Sequence, residues 1–315
     1  MTNFKQTLST ITDYIKADIF PGASLALYDG QDWQEHYLGT QDGKHPVVPG
    51  LTYDLASVSK VVGVGTLCLF YLQMGKLDLD EKLSTYYPAV VDKTLTLRQL
   101  LSHSSGIDPF IPNRDELDQA GLISAINAIK VKDDKPFLYT DINFILLGLM
   151  LEKVSGQTLD KLFDSEIFQP FGMTETRFGP VEVAVPTVGG IPGGTVHDPK
   201  ARVLKEHTGS AGLFSTLKDL EIFIDHYLTD DFAKNLTQNI SQSNKERSVA
   251  WDLQGDWILH TGYTGTFVLI NIPAQHAAIF LSNRTYYKDE RAQWIKDRDV
   301  LIEIMKKELI RETVE

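Results

Sequence analysis

Cysteine and basic residues are scarce in this sequence, and each shortage excludes classes of function. The 315 residues include a single cysteine, Cys68, which rules out an internal disulfide and a cysteine-based zinc site. The 30 lysines and arginines face 42 aspartates and glutamates, which gives a formal net charge of −12. Binding to nucleic acid, or to a membrane through polybasic segments, requires a basic surface. We therefore expect no nucleic-acid partner and no membrane partner.

Long apolar runs, export signals and several familiar catalytic signatures are also missing. The longest apolar stretch, residues 61–72, falls well short of the ~20 residues that span a bilayer. Residues 1–16 lack the apolar core and cleavage pattern of a secretory signal, which predicts a cytoplasmic protein. The chain has no G-x-x-x-x-G-K, G-x-G-x-x-G, H-E-x-x-H or G-x-S-x-G motif, and its eight histidines form no closely spaced pair on a helix face. We expect no metal ion and no cofactor.

Hydrophobic periodicity predicts an α+β fold, an antiparallel β-sheet flanked by helices with an inserted all-helical lobe. Predicted strands cover residues 23–28, 33–38, 248–253, 257–260, 266–272 and 277–281. Predicted helices cover residues 4–15, 57–73, 117–129, 142–154, 159–168, 217–228 and 291–310. The chain slightly exceeds the ~250–300 residues at which a single core stops growing. We therefore expect a sheet lobe (1–81 and 206–315), a mainly helical lobe (82–205) and an active site at their interface.

Ser57-Val58-Ser59-Lys60, at the start of a predicted buried helix, can carry nucleophilic chemistry. Positions i and i+3 share a helix face, so the Lys60 ammonium can reach the Ser57 hydroxyl. A serine is a weak nucleophile until a base takes its proton, and a lysine with a lowered pKa can do so. An N-cap role is the alternative for Ser57. In a second copy of the pattern, Ser215-Thr216-Leu217-Lys218, we interpret Ser215 as a helix N-cap with Lys218 on the solvated face.

Two further motifs supply partners for the Ser57 and Lys60 pair. Tyr139-Thr140-Asp141 precedes an apolar helix, and a tyrosine beside a lysine can act as a phenolate because the cation stabilises the ionised form. His260-Thr261-Gly262 ends a predicted strand, whose edge can dock an acyl substrate while its N–H groups polarise the carbonyl. A second copy, His207-Thr208-Gly209, lacks flanking strand alternation, and we interpret the residues that follow it, 210–213, as a turn that enters a helix.

The order S-x-x-K, Y-x-[ND], [KH]-T-G resembles that of the penicillin-recognising serine hydrolases, in the branch of class C β-lactamases, esterases and D-amino-acid peptidases. Further segments that look like parts of this family are residues 20–23, 54–60, 75–80, 100–107 and 211–216. The resemblance extends from about residue 20 to residue 265. It implies a β-lactamase/transpeptidase-like fold, with an antiparallel sheet, flanking helices and a helical lobe.

The resemblance also implies roles for individual residues. Ser57 would be the acylated nucleophile, with Lys60 and Tyr139 as the groups that handle its proton. The N–H groups of Ser57 and Tyr263 would form the oxyanion hole. The implied substrate-binding residues are His260, Thr261, Gly262 and Asp141. His103 would be a buried, hydrogen-bonded structural residue.

Two departures from the commonest pattern bear on the substrate and on the base. His260 stands where many members have lysine, and a mostly neutral histidine anchors a carboxylate less well. Asp141 replaces the more frequent asparagine, and a carboxylate facing Lys60 would keep the lysine cationic and shift the base role to Tyr139. An N-cap role for Asp141 is a compatible alternative. The neutral His260 and the acidic net charge both favour neutral or cationic substrates.

These patterns predict a serine hydrolase that forms an acyl-enzyme on Ser57. The favoured activity is that of an esterase or an amide or peptide hydrolase, acting on neutral small molecules. The alternatives are a β-lactamase or D,D-carboxypeptidase of the penicillin-binding type, an acyltransferase of the same fold, and a catalytically silent binding or sensing module. The intact set of Ser57, Lys60 and Tyr139 favours the hydrolase over the silent module.

Overall fold

The computed structural model describes residues 4–311, which form two antiparallel sheets surrounded by helices. The α-helices are α1 (Lys5–Lys16), α2 (Thr66–Gln73), α3 (Leu83–Tyr86), α4 (Leu97–Leu101), α5 (Gln119–Asn127), α6 (Asp141–Ser155), α7 (Leu159–Phe163), α8 (Gln169–Phe171), α9 (Pro199–Leu204), α10 (Leu217–Thr229) and α11 (Arg291–Arg311). The strands are β1 (Gly22–Tyr28), β2 (Trp33–Gly39), β3 (Thr52–Asp54), β4 (Arg177–Phe178), β5 (Leu213–Thr216), β6 (Asp252–Gln254), β7 (Trp257–Thr261), β8 (Phe267–Asn271) and β9 (His276–Ser282). This content confirms the predicted α+β class.

The larger sheet contains six strands in the order β2-β1-β9-β8-β7-β6. β1 and β2 form the predicted hairpin, and β6 to β9 form the predicted antiparallel meander. β6 begins later than predicted, at Asp252 instead of residue 248, because Ala250 has a φ of +71° and the left-handed turn interrupts the extended backbone. β1 pairs with β9, so the two ends of the chain share one sheet.

Side chains of the central strands alternate between two apolar layers. Phe267 and Leu269 of β8 pack on the side that holds α1 and α11. Val268 and Ile270 point the other way, into the larger core with α2, α6 and α10. The sheet therefore lies between two helical layers, and the predicted N-terminal amphipathic helix is α1, whose Ile11 is fully buried.

A second sheet, with three strands in the order β3-β5-β4, was not predicted from the sequence. Its strands contain three, four and two residues, which is too short for an alternating pattern to be recognised. β4 lies in the segment predicted as the helical lobe and pairs with β5, which lies outside it. The lobe boundaries at residues 82 and 205 stay a prediction.

The predicted helix over residues 57–73 is present but irregular. A 3₁₀ turn over Ala56–Val58 is followed by a π-helical turn over Val61–Gly65 and then by α2. The stretch Ala56–Gln73 is long and apolar enough to cross a membrane, but 78% of it is buried inside the protein. That burial is typical of the core helix of a globular domain. π-Helical turns inside helices are frequent at functional sites.

Helix α6 carries one of the predicted motifs at its N-terminus. Its N-cap is Thr140, whose hydroxyl accepts a hydrogen bond from the Ile142 N–H at 3.3 Å. The predicted N-cap role for Asp141 is therefore wrong. Asp141 is the first helical residue, where a negative charge interacts favourably with the helix dipole.

Candidate active site

A cleft of about 840 Å³ opens where the Ser57 turn, the end of β7 and the first turns of α6 and α11 meet. The sequence-predicted residues that line it are Ser57, Tyr139, Asp141, Thr261, Gly262 and Tyr263. Lys60 lies beneath Ser57 and is fully buried. Within residues 4–311, no three His, Cys, Asp or Glu side chains form a group that could hold a metal ion.

Three acceptors hold the Lys60 ammonium group in place. Its Nζ donates hydrogen bonds to Ser57 Oγ, to Asp141 Oδ1 and to the Ser210 carbonyl, each at 2.8 Å. An ammonium group has three donors, so all of them are used. The tight winding of the 3₁₀ turn places Ser57 and Lys60 on one side of the helix, as the spacing of the motif predicted.

The surroundings of Lys60 keep it charged. Burial alone would lower its pKa, but Asp141 and Tyr139 outweigh burial and hold the pKa above its ordinary value. Burial would likewise raise the pKa of Asp141, yet Lys60 and Lys200 hold it well below its usual range. Both groups are ionised at neutral pH. The structure confirms that the Asp141 carboxylate faces Lys60.

A second lysine, which the sequence did not single out, shares Asp141. Lys200 Nζ lies 3.0 Å from Asp141 Oδ2 and 3.0 Å from Asp198 Oδ2. Asp198 also caps α9, where its Oδ1 accepts from the Ala201 N–H at 2.8 Å. The Asp-Pro pair is an N-cap signal that could have placed Lys200 in a helical turn. Nothing in the sequence indicates that this turn faces Asp141.

The turn that carries Ser57 is fixed from below by Asp54. One oxygen of Asp54 accepts from the Ala56 N–H at 2.8 Å and the other from the His197 N–H at 2.7 Å. Ala56 has a φ of +46°, a costly conformation that persists only where the surroundings impose it. Burial raises the pKa of Asp54 to about 6, although both N–H groups oppose this shift. Asp54 belongs to the family-like segment 54–60, but the sequence predicted no role for it.

Tyr139 borders the cleft next to Lys60. The Lys60 Nζ lies 5.1 Å from the centre of the Tyr139 ring, and the side chain is 39% exposed. The ring stacks on His103, with 4.4 Å between the ring centres. His103 is fully buried, pairs with the Asn143 amide at 2.9 Å, and has a pKa that burial lowers well below its ordinary value. It is the buried, hydrogen-bonded residue that the resemblance implied.

His260 does not line the cleft, contrary to its predicted role in substrate binding. Its buried ring lies 6.3 Å from the Tyr139 ring, measured between centres. Burial, with Lys60 and Arg247, holds its pKa well below the ordinary value, and this favours the expected neutral form. Strand alternation explains the placement, because neighbouring side chains on β7 point to opposite faces and Thr261 takes the cleft side.

The end of β7 forms the wall opposite Tyr139. β6 pairs with β7 only as far as Leu259, so the following residues extend past β6. Gly262 packs directly against the Ser57 turn, since a methyl group at Gly262 would lie 2.8 Å from the Leu55 carbonyl oxygen. The Thr266 hydroxyl donates to the same carbonyl at 3.1 Å. These contacts fix the wall and the turn relative to each other.

Charged side chains surround the Tyr263 ring. The guanidinium groups of Arg284 and Arg291 lie 4.6 Å and 5.3 Å from its centre. Asp289 accepts hydrogen bonds from both the Tyr263 hydroxyl and Arg284. The His197 ring stacks on the Tyr263 ring, with 5.5 Å between the ring centres. The side chain of the predicted oxyanion residue is thus held by its neighbours.

Cations outnumber anions on the walls of the cleft, although the whole chain is acidic. The lining cations are Arg114, Lys200, Arg284, Arg291 and Arg298, and the lining anions are Asp141, Asp198 and Asp289. Arg298 donates to the Thr261 hydroxyl at 3.2 Å. The argument from the acidic net charge against anionic substrates therefore does not hold inside the cleft.

The duplicate S-x-x-K pattern has a structural role. Ser215 lies in β5, and its hydroxyl is 2.7 Å from that of Thr176. Thr216, instead of the predicted Ser215, caps α10 by accepting from the Asp219 N–H at 3.3 Å. The prediction is one residue off because β5 continues through Ser215. Lys218 is exposed, as expected for a solvated face.

The duplicate H-T-G pattern forms a turn that supports Lys60. His207 pairs with Glu152 of α6 at 2.9 Å. Gly209 packs against the same helix, since a methyl group there would lie 2.2 Å from the Phe144 carbonyl oxygen. The next residue, Ser210, supplies the carbonyl that accepts from Lys60. The prediction that residues 210–213 lead into a helix is wrong, because β5 begins at Leu213 and α10 only at Leu217. The contact with Lys60 was not foreseen.

Comparisons with known proteins bear on the family and the fold of this chain. The sequence model of the Beta-lactamase family matches residues 9–302. A protein of Escherichia coli (strain K12), provisionally named a D-alanyl-D-alanine carboxypeptidase, is 27% identical over 304 residues, which cover 75% of this chain and 70% of the relative.

Solved structures share the fold at low sequence identity. EstCE1, described as a hydrolase with promiscuous acyltransferase activity, has a TM-score of 0.77 and 18% identity, with 94% of this chain and 97% of its own covered. A class C beta-lactamase from Rhodobacter sphaeroides has a TM-score of 0.71 and 20% identity, with 94% and 99% covered. These matches confirm the fold that the resemblance implied. Together with the family match over residues 9–302, they show that this chain belongs to the beta-lactamase family of serine hydrolases.

Proposed function

We propose that this chain cleaves small esters or amides through an acyl-enzyme on Ser57. The observation that carries the proposal is the 2.8 Å contact between Lys60 Nζ and Ser57 Oγ at a cleft large enough for a small molecule. Ser57 Oγ attacks the carbonyl carbon, and the alcohol or amine departs with a proton. Water then attacks the Ser57 ester, which releases the acid and restores the hydroxyl.

Tyr139 is the proposed base. Lys60 is held as an ammonium ion by Asp141, so it has no lone pair to accept the Ser57 proton. The Lys60 Nζ lies 5.1 Å from the Tyr139 ring centre, where its positive charge stabilises negative charge that develops during the reaction. Tyr139 would take the proton from Ser57 and pass it to the leaving group. The raised pKa of Lys60 supports this assignment over one in which Lys60 is the base.

The N–H groups of Ser57 and Tyr263 are the proposed oxyanion donors. Both residues line the cleft. Gly262, which precedes Tyr263, packs against the turn that holds Ser57, since a methyl group at Gly262 would lie 2.8 Å from the Leu55 carbonyl oxygen. Donors fixed before the reaction stabilise the developing oxyanion without a reorganisation cost.

Uncharged esters and amides are the first candidate substrates. The neutral His260 lies outside the cleft lining and supplies no cation to bind a carboxylate. A carboxylate-bearing peptide is the second candidate, and the cationic wall favours it. Arg291 and Arg298 both line the cleft beside the end of β7. The provisional name of the Escherichia coli relative points to substrates of that kind.

A matched ester panel tests the mechanism and separates the candidates. Hydrolysis of p-nitrophenyl butyrate should fall by roughly 10⁴-fold or more in Ser57→Ala. Ser215→Ala, the same change in the duplicate motif, should retain it. Undiminished hydrolysis by Ser57→Ala would contradict the mechanism. A higher kcat/KM for the butyrate than for mono-p-nitrophenyl succinate favours uncharged substrates, and the reverse order, abolished by Arg291→Ala, favours the second candidate.

A further inference from the structure

Lys200 contacts Asp141, the carboxylate that also holds Lys60, and the mechanism above gives Lys200 no role. We propose that Lys200 is a positioning residue that acts through Asp141 and limits how firmly Asp141 keeps the proton on Lys60. This inference rests on the proposed function, in which the Lys60 ammonium ion contacts Ser57 and Tyr139 is the base.

Lys200 and Lys60 hold opposite oxygens of one carboxylate. Asp141 Oδ1 lies 2.8 Å from Lys60 Nζ, and Asp141 Oδ2 lies 3.0 Å from Lys200 Nζ. The side chains of Lys60, Lys200 and Asp141 are 0%, 14% and 24% exposed, so solvent screens these contacts weakly. A single negative charge therefore faces two ammonium ions at hydrogen-bond distance.

Lys200 is anchored from its own side by Asp198, whose Oδ2 lies 3.0 Å from its Nζ. The other groups around Lys60 are Tyr139, the Ser57 hydroxyl, the Ser210 carbonyl and the neutral rings of His103 and His260, with Arg247 acting on both rings. None of these groups is a second cation on Asp141. Lys200 is in direct contact with Asp141, as Lys60 is. Its charge can therefore be changed without removing a partner of Ser57.

Sharing Asp141 weakens its hold on each lysine. Two cations on one carboxylate repel each other, and the hydrogen-bonding capacity of the carboxylate is divided between them. In Lys200→Met, Asp141 has Lys60 as its partner and the repulsion is gone, so Lys60 retains its proton to higher pH. Lys200→Arg retains the positive charge beside Asp141. The protonation of Lys60 in Lys200→Arg should therefore follow that in the wild type.

The test is the pH dependence of the rate at which a fluorophosphonate labels Ser57, followed by intact-protein mass spectrometry. One limb of this pH–rate profile reports the loss of the Lys60 proton. In Lys200→Met we expect that limb to move to higher pH by about half to one unit. The direction is the same whether Lys60 acts as the cation or as the base. Lys200→Arg should restore the wild-type limb. Lys161→Met, with the same charge change on the exposed surface of α7, should leave the limb in place.

An unmoved limb in a folded Lys200→Met variant overturns the proposal, and an equal shift in Lys161→Met does the same, because it would show an effect of overall charge. Lys200→Gln is the second variant if Lys200→Met does not fold. In an Asp141→Asn background, Lys200→Met should move the limb much less, and an undiminished shift there would show that Lys200 does not act through Asp141. Failure of the proposed function is distinguishable, since wild-type Ser57 would then not be labelled.

Discussion

At the scale of single residues, Asp141 determines the protonation of Lys60. Burial alone would lower the pKa of Lys60, and Asp141 is the main group that reverses this effect. Asp141→Asn removes the negative charge and retains the shape of the side chain, so the Lys60 pKa should fall and the lysine should lose its proton at lower pH. We expect the alkaline limb of the kcat/KM profile to move to lower pH by about one unit or more. A pH–rate profile across the neutral and alkaline range measures this.

Asp198→Asn is the matched control for that prediction. Asp198 contacts Lys200 but not Lys60, so its loss should move the alkaline limb less than the loss of Asp141. An alkaline limb that stays in place in Asp141→Asn would contradict the coupling between Asp141 and Lys60.

Short sequence motifs were enough to predict the residues of the site. The groups that surround those residues could be identified only from the folded structure. The contact between Ser57 and Lys60 follows from local helical spacing, which the sequence displays. The partnership of Lys200 with Asp141 joins distant segments through a loop whose path no pattern indicates. The placement of His260 away from the cleft depends on which face of β7 is buried, and a strand buried on both faces does not reveal this in its sequence.

At the scale of elements, the turn over residues 207–210 links α6 to the Lys60 ammonium. Gly209 lies between two helices, where a methyl group would be 2.2 Å from the Phe144 carbonyl oxygen and 2.9 Å from Val64. Gly209→Ala should therefore displace the turn and destabilise the fold by roughly 1–3 kcal/mol. It should also lower kcat, because the Ser210 carbonyl would no longer hold Lys60. Thermal unfolding and hydrolysis of p-nitrophenyl butyrate measure the two effects.

Gly50→Ala serves as the control for Gly209→Ala. Gly50 has a φ of +80° and no atom within 4 Å of an added methyl group, so the substitution costs backbone strain of about 1–2 kcal/mol without displacing a neighbour. It should leave kcat unchanged. A wild-type kcat in Gly209→Ala would show that the turn does not position Lys60.

Periodicity predicted the elements that are long enough to show it. α1, α6, α10, α11 and the meander were all identified, because each presents a repeating apolar pattern. The strands of the second sheet contain at most four residues and show none. The start of β6 is off by four residues and the caps of α6 and α10 are off by one residue each. All three errors lie at element ends, where local backbone conformation decides the boundary.

At the scale of the whole molecule, a buried carboxyl group makes stability depend on pH. Burial raises the pKa of Glu221 to about 7, with Lys218 opposing the shift and Glu35 adding to it. A folded-state pKa above the unfolded value near 4.5 means that the stabilisation is full below pH 4.5 and is lost as pH rises through 7. Glu221→Gln should flatten this loss, which the melting temperature as a function of pH measures.

Glu182→Gln, the same change on the exposed surface, should leave the pH dependence of the melting temperature as it is in the wild type. An equally steep loss of stability in Glu221→Gln and in the wild type would show that another group is responsible.

The net charge of the whole molecule was a poor guide to the charge of the cleft walls. A net charge of −12 is an average over the surface, whereas the cleft walls carry more cations than anions. Composition therefore does not exclude an anionic substrate, and Arg291 and Arg298 are the lining cations that would bind one. The cytoplasmic location and the two-lobe division stay predictions, which cell fractionation and limited proteolysis test.

The acylation of Ser57 is the central claim, and trapping the acyl group tests it most directly. The protein is treated with a fluorophosphonate, its intact mass is measured, and the modified peptide is identified after digestion. We predict one adduct per chain, located on Ser57 and absent from Ser57→Ala, with Ser215→Ala modified like the wild type. An adduct that persists in Ser57→Ala, or that maps to another residue, would contradict the account.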